Sequence, residues 1–117
     1  MVNNQVSLDR VFGALGSPVR RAILTQLQSG DDLSVSDLAS PLGMKLPAML
    51  KHLDVLETAR LITRKKAGRT MYVTAAPGPT IEASHWLQRY ERFWSRSLDK
   101  LVAYAEKQER VARKLRK

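Results

Sequence analysis

The sequence predicts a mainly helical domain with one small β-hairpin, in the order α-α-α-α-β-β-α. Apolar residues recur at helical spacing in four stretches ahead of residue 60. Residues 61–75 then read as two short strands joined across Ala67-Gly68-Arg69, and a long amphipathic helix begins after a Pro-Gly-Pro break. At 117 residues the chain can bury one core, so we expect a single domain spanning residues 1–117, with one function.

Residues 1–7 hold no apolar pattern and are expected to form a flexible tail. Leu8, Val11, Phe12 and Leu15 then stand at i, i+3, i+4 and i+7, one apolar face of a first helix that Gly16 ends. Ser17 suits the N-cap of a second helix, with Pro18 at its first position. Val19, Ala22, Ile23 and Leu27 form its stripe, and Gly30 stops it. Arg20 and Arg21 fall in the first turn of this helix, where its dipole opposes them by less than about 1 kcal/mol. Solvent exposure is the plain account of them, and a phosphate contact the alternative.

Residues 34–59 carry the densest signal. Ser34 caps a short helix with Asp37 three residues on, the spacing of a capping box, and Pro41 with Gly43 stops that helix. A fourth helix starts afresh with Pro47 at its first position, where the missing N–H is no loss. Met49, Leu53 and Leu56 form its buried stripe, leaving Pro47, Ala48, Lys51, Asp54 and Thr58 facing out and Leu50 and His52 at the border. Two helices about a tight turn, followed by a basic hairpin over 61–75, make a helix-turn-helix with a wing.

Ala75-Ala76-Pro77-Gly78-Pro79 forms a linker, and Thr80 caps a last helix expected over 80–108. Leu87, Tyr90, Trp94, Leu98, Leu101 and Ala105 step by three or four, and Trp86, Phe93, Val102 and Tyr104 widen the stripe. About 25 residues of helix extend about 38 Å, more than so small a core covers. Aromatic side chains anchor interfaces, so Trp86, Tyr90, Phe93, Trp94, Leu98 and Leu101 read as a dimer seam, with Leu8 and Phe12 of the first helix alongside. A helix buried wholly within its own chain is the competing account. Residues 109–117, with Arg110, Arg113, Lys114, Arg116 and Lys117, read as a basic tail, solvated rather than a DNA arm.

Twenty lysines and arginines against eleven acids give a net charge of +9, the electrostatic footprint of a protein that meets phosphates. Acidic membranes attract such a charge too. Arg60, Arg64, Lys65, Lys66 and Arg69 stand in a stretch without an acid until Glu82, directly after the helix-turn-helix. A hairpin that merely keeps the protein soluble is the alternative. The chain has no cysteine, which excludes disulfides and thiolate metal sites. The N-terminus lacks the apolar core of a signal peptide and no apolar run spans a bilayer, so a cytoplasmic protein without membrane partners is expected. No nucleophile motif, phosphate-binding glycine loop or carboxylate pair stands out, so we expect no enzyme, no catalytic residue and no cofactor.

Leu-Pro-Ala-Met-Leu-Lys-His-Leu-Asp-Val-Leu-Glu (46–57), with Leu-Ile-Thr-Arg and Gly-Arg beyond it, resembles the recognition helix and wing of the ArsR/SmtB family of bacterial winged-helix repressors. Gly16-Ser17-Pro18-Val19-Arg20-Arg21-Ala22-Ile23-Leu24 is similar to the family's second helix, and the segment Trp86–Leu101 to a subgroup without metal-sensing ligands. The resemblance implies a homodimer, joined through its first and last helices, that represses by occupying an inverted-repeat operator. Leu50 stands where the family usually has serine, and Arg60 where many members have the glycine that ends the recognition helix. Leu50 packs on a thymine methyl at best. Arg60 must avoid a positive φ or accept strain. In the family the position of His52 faces the DNA backbone; padding of the helix surface is its plainer role.

The helix at Val35-Ser36-Asp37-Leu38, where sensing members carry cysteines, has none. His85 with Glu82 at i, i+3 supplies at most half a zinc site, so no metal is expected. The candidate DNA contacts are therefore Lys45, Pro47, Ala48, Leu50, Lys51 and His52 about the fourth helix, and Arg64, Lys65, Lys66 and Arg69 on the hairpin. The partner expected is duplex DNA. A winged helix serving as an RNA-binding or protein-interaction module is the other reading, because a fold alone does not fix a function.

Overall fold

The computed structural model describes residues 4–76 and 79–116, with side chains from Ser7 onward. Of the expected linker, Pro77 and Gly78 lie outside the described residues, as do residues 1–3 of the tail and Lys117. Met1–Ala83 and Ser84–Lys117 are two compact units, and each is taken by itself.

In the first unit α1 (Asn4–Leu15) is followed by α2 (Pro18–Gln26), whose N-cap is Ser17: its Oγ accepts from the Arg20 N–H at 3.3 Å. A 3₁₀ turn, Leu27–Ser29, closes on Gly30 at φ 84°. The tail is thus shorter than expected, since α1 is already helical at Asn4, four residues ahead of its first apolar landmark, Leu8. Polar residues at a helix N-terminus leave no periodic trace in a sequence.

Next come β1 (Leu33–Ser34), α3 (Val35–Ala39), a 3₁₀ turn over Ser40–Leu42 and α4 (Leu46–Thr58). Ser34 caps α3 through its Oγ, 3.0 Å from the Asp37 N–H, and Gly43 at φ 61° supplies the left-handed turn between the two helices. The hairpin is β2 (Ile62–Ala67) and β3 (Thr70–Ala75). Ala67 pairs with Thr70, so its loop has two residues, Gly68-Arg69, where three were expected, and Gly68 takes φ 63°.

The sheet has three antiparallel strands, in the order β1-β3-β2. β1 was not anticipated: Leu33 faces Val73 and Ser34 faces Tyr72, and two residues are too few to show alternation. The Thr74 hydroxyl donates to Asp32 Oδ1 at 2.7 Å beside this edge. Val11, Ile23, Leu27, Leu38, Met49, Leu53, Leu56, Ile62 and Val73 are wholly buried and draw all these elements onto one core, each side chain contributing about 1.5–3 kcal/mol. Leu8 and Phe12 pack half-buried against that core.

The second unit consists of the greater part of α5 (Thr80–Leu115), a helix of 36 residues. The expected boundary at 108 is corrected by seven residues, because most of the presumed tail is helical. Thr80 is the first helical residue rather than the cap. Glu109 and Arg113 form an i, i+4 ion pair at 2.8 Å that supports this extension. Trp86 stacks on Tyr90 with ring centroids 5.4 Å apart, and Trp94 meets the edges of Tyr90 and Phe93. Within the chain this aromatic ladder stays exposed, Trp94 at 47% and Phe93 at 61%.

Candidate nucleic-acid interface

Helix α4 is held by Met49, Leu53 and Leu56, all at 0% exposure, so its opposite face must point outward. Pro47, Ala48, Lys51, Asp54 and Thr58 are exposed as the spacing predicts; Leu50 is exposed at 38% and His52 half-buried. Lys45 is the N-cap residue and makes no side-chain cap bond, leaving its ammonium free to turn outward.

The end of α4 is built against a penalty. The Leu61 N–H bonds the Leu56 carbonyl at 3.0 Å and the Arg60 N–H bonds that of Glu57 at 2.9 Å, the paired bonds of a Schellman motif. That motif puts Arg60 at φ 64°, the one positive φ among the described non-glycine residues. Of the two options the sequence left, Arg60 takes the strained one, and a side chain there costs about 1 kcal/mol or more. The return aims Ile62 into the core and starts β2 directly beside α4.

Arg64 departs from its expected role as a free strand cation. Its guanidinium reaches back to α4, where Nη2 donates to Asp54 Oδ1 at 2.7 Å and Glu57 Oε1 at 3.0 Å, and Nε donates to Glu57 Oε2 at 3.1 Å. The Glu57 carboxyl is held below its ordinary value, chiefly by these hydrogen bonds, and Arg64 is held more firmly protonated by the same partners. The clip neutralises two carboxylates on the exposed side of the helix. Lys65, Lys66 and Arg69 are exposed, with Arg69 at the hairpin tip.

Arg20, half-buried, and Arg21, exposed, both bond within the fold. Arg20 Nε donates to the Ala14 carbonyl at 2.7 Å and Nη2 to that of Gly13 at 3.1 Å, while Arg21 Nη1 donates to that of Leu15 at 2.6 Å. These carbonyls end α1, where cations are favoured, which offsets the unfavourable placement in α2. Arg20 Nη1 also lies 3.3 Å from His52 Nδ1. A guanidinium only donates, so Nδ1 accepts and the ring's proton sits on Nε2, turned away from Arg20. Sequence spacing could not show this link, which joins residues 32 apart.

Among the described residues no three His, Asp or Glu side chains gather where a metal ion could sit, and no helix is long and apolar enough to cross a membrane.

Residues 15–65 match the model of a helix-turn-helix domain family. The HTH-type transcriptional regulator Rv2034 of Mycobacterium tuberculosis is 39% identical over 93 residues, covering 79% of this chain and 82% of the relative. The transcriptional repressor SdpR of Bacillus subtilis is 26% identical over 83 residues, 71% of this chain and 91% of its own. Among solved structures, the ArsR family transcriptional regulator RHA00566 superimposes with a TM-score of 0.71 at 34% identity, over 81% of this chain and 97% of that one. These relatives are regulators of transcription.

Proposed function

Because the chain belongs to the ArsR family of winged helix-turn-helix transcriptional regulators, we propose that it is a cytoplasmic homodimer that represses by occupying an inverted-repeat DNA operator. The observation that carries this reading is α4 itself. Three fully buried side chains fix its inner face, and Lys45, Pro47, Ala48, Leu50 and Lys51 are exposed beside a wing whose Lys65, Lys66 and Arg69 are unpaired among the described residues. In this reading α4 enters the major groove, Ala48, Leu50 and Lys51 meet base edges, and His52 donates its Nε2 proton to the backbone. Lys65 and Lys66 neutralise phosphates, and Arg69 follows the minor groove. Arg64 keeps the position of α4 and cancels its acids, a positioning role in place of the phosphate contact expected of it.

Dimerisation through α5 is supported by Trp86, Tyr90, Phe93, Trp94, Leu98 and Leu101, an apolar ladder too large for a monomer to leave in water. Repression agrees with the name of the relative SdpR. The deciding experiment captures genomic fragments on the purified protein and footprints them. A protected inverted repeat, with affinity lost on Lys51→Ala and regained at lower salt, supports the reading. Equal affinity for duplex DNA and single-stranded RNA at every salt concentration refutes it.

A further inference from the structure

Most of the net charge of this chain lies beyond its helix-turn-helix and wing. Residues 84–117 carry ten lysines and arginines against four acids, a net +6, which leaves only +3 on residues 1–83. Of the ten cations in residues 1–83, Arg20, Arg21 and Arg64 are already engaged within the fold. On α5, by contrast, Arg89, Arg92, Arg96, Lys100, Lys107, Arg110 and Lys114 follow one another by 3, 4, 4, 7, 3 and 4 residues, the spacing of a single helical face. All seven are exposed, and the ion pair of α5 among the described residues is Arg113–Glu109, which includes none of them. Arg89, Arg92, Arg96 and Lys100 line an open groove of about 640 Å³ with Phe93 and Ser97. Glu91 and Glu109 are set away from this row by the helical repeat, while Asp99, three residues after Arg96, and Glu106, four before Arg110, flank one side of it without an ion pair among the described residues.

We propose that the basic face of α5 is a second, sequence-independent contact surface for the phosphates of duplex DNA. The inference rests on the DNA-binding reading above and adds to it where most of the positive charge is used. The α5 of a second copy brings too few acids to neutralise this face: it carries five carboxylates, one of them already held by Arg113, against the seven cations of the row. From residue 89 to 114 the row extends about 38 Å at 1.5 Å per residue. Duplex DNA presents one negative charge per about 1.7 Å of its axis, so a rigid cationic rod of this length faces phosphates over about one helical turn. A membrane surface would draw on the apolar side as well, which the dimer seam covers in this reading.

The test is the variant Arg89→Gln/Arg92→Gln/Arg96→Gln/Lys100→Gln in the full chain, glutamine being a good helix former. Its binding to a 40-base-pair mixed-sequence duplex and to the footprinted fragment is measured from 50 to 200 mM salt, beside sedimentation to read the oligomeric state. Four lost contacts per protomer make the salt slope shallower by about 3.6 per protomer, with the same fold-loss on both duplexes at low salt. The charge-keeping variant Arg89→Lys/Arg92→Lys/Arg96→Lys retains the wild-type slope. Lys65→Ala/Lys66→Ala/Arg69→Ala, measured alongside, reports on the wing alone; if it binds as wild type while the α5 variant is weakened, the helix-turn-helix reading falls and the α5 surface stands. The proposal is overturned by an unchanged slope in the glutamine variant or by its dissociation into monomers. It is equally overturned if the variant loses binding only to phosphatidylserine vesicles.

Discussion

Replacing Arg64 with alanine separates two ways in which a wing cation can serve DNA binding. In the wild type its guanidinium bridges Asp54 and Glu57 at 2.7 and 3.0 Å, with side-chain exposures of 20% for Arg64 and 64% and 43% for its partners. Pairs this exposed contribute about 0.2–1 kcal/mol each, so Arg64→Ala should cost about 1 kcal/mol of stability. In a unit of this size that lowers Tm by about 4–8 °C. Lys65→Ala, with no partner to lose, should leave Tm unchanged. In DNA binding the order reverses. Lys65→Ala loses a phosphate contact and about 0.9 of salt slope per protomer. Arg64→Ala keeps the slope nearly intact and weakens affinity because two carboxylates are uncovered on α4. The triple variant Asp54→Asn/Glu57→Gln/Arg64→Ala should then recover affinity. Differential scanning calorimetry with salt-dependent isotherms measures both arms. An Arg64→Ala variant that loses as much salt slope as Lys65→Ala at unchanged Tm, and is not rescued by the two amides, would refute the clip as the role of Arg64.

Trp94→Glu with Leu98→Glu should convert the protein to monomers in sedimentation and abolish operator binding; a wild type already monomeric at micromolar concentration would oppose the dimer. Arg60→Gly removes the side chain from φ 64° and should raise stability by about 0.5–1 kcal/mol in urea unfolding, while Arg60→Ala, which keeps the strain, should not. The folded value of Glu57 lies below its unfolded one, so its clip contributes stability above the ordinary carboxylate range and loses it as pH falls through the folded value. Unfolding followed from pH 7 to pH 3 should therefore show a steeper acid loss in the wild type than in Glu57→Gln.

What the sequence disclosed and what it hid divide along physical lines. The three-residue core stripe of α4, the Ser17 and Ser34 caps and the glycine of the hairpin are local patterns with fixed offsets, and the structure places each as read. The partners of the arginines were not legible. Arg64 bonds residues seven and ten positions back, and Arg20 one 32 positions ahead, separations that exist only once the chain has folded. Counting Arg64 with Lys65 and Lys66 as one patch treated charge as position. Geometry shows that only the two lysines are spare. The end of α5 was misplaced for the opposite reason: a run of cations looks like a solvated tail until i, i+4 pairs and the helical repeat are laid out.

Ser34 closes the sheet edge as the last residue of β1 and caps α3 with its hydroxyl. One residue therefore belongs to two cooperative structures, and neither opens without loosening the other. Fraying of the β1–β3 pairing releases the Asp37 N–H, and unwinding of the first turn of α3 removes the anchor that keeps Ser34 opposite Tyr72. In amide hydrogen exchange, Asp37 and the β3 residues facing β1 should share one opening free energy, even though they lie in a helix and a strand. A shared value would mark the β1–β3 edge and the first turn of α3 as one foldon, joined through a single serine.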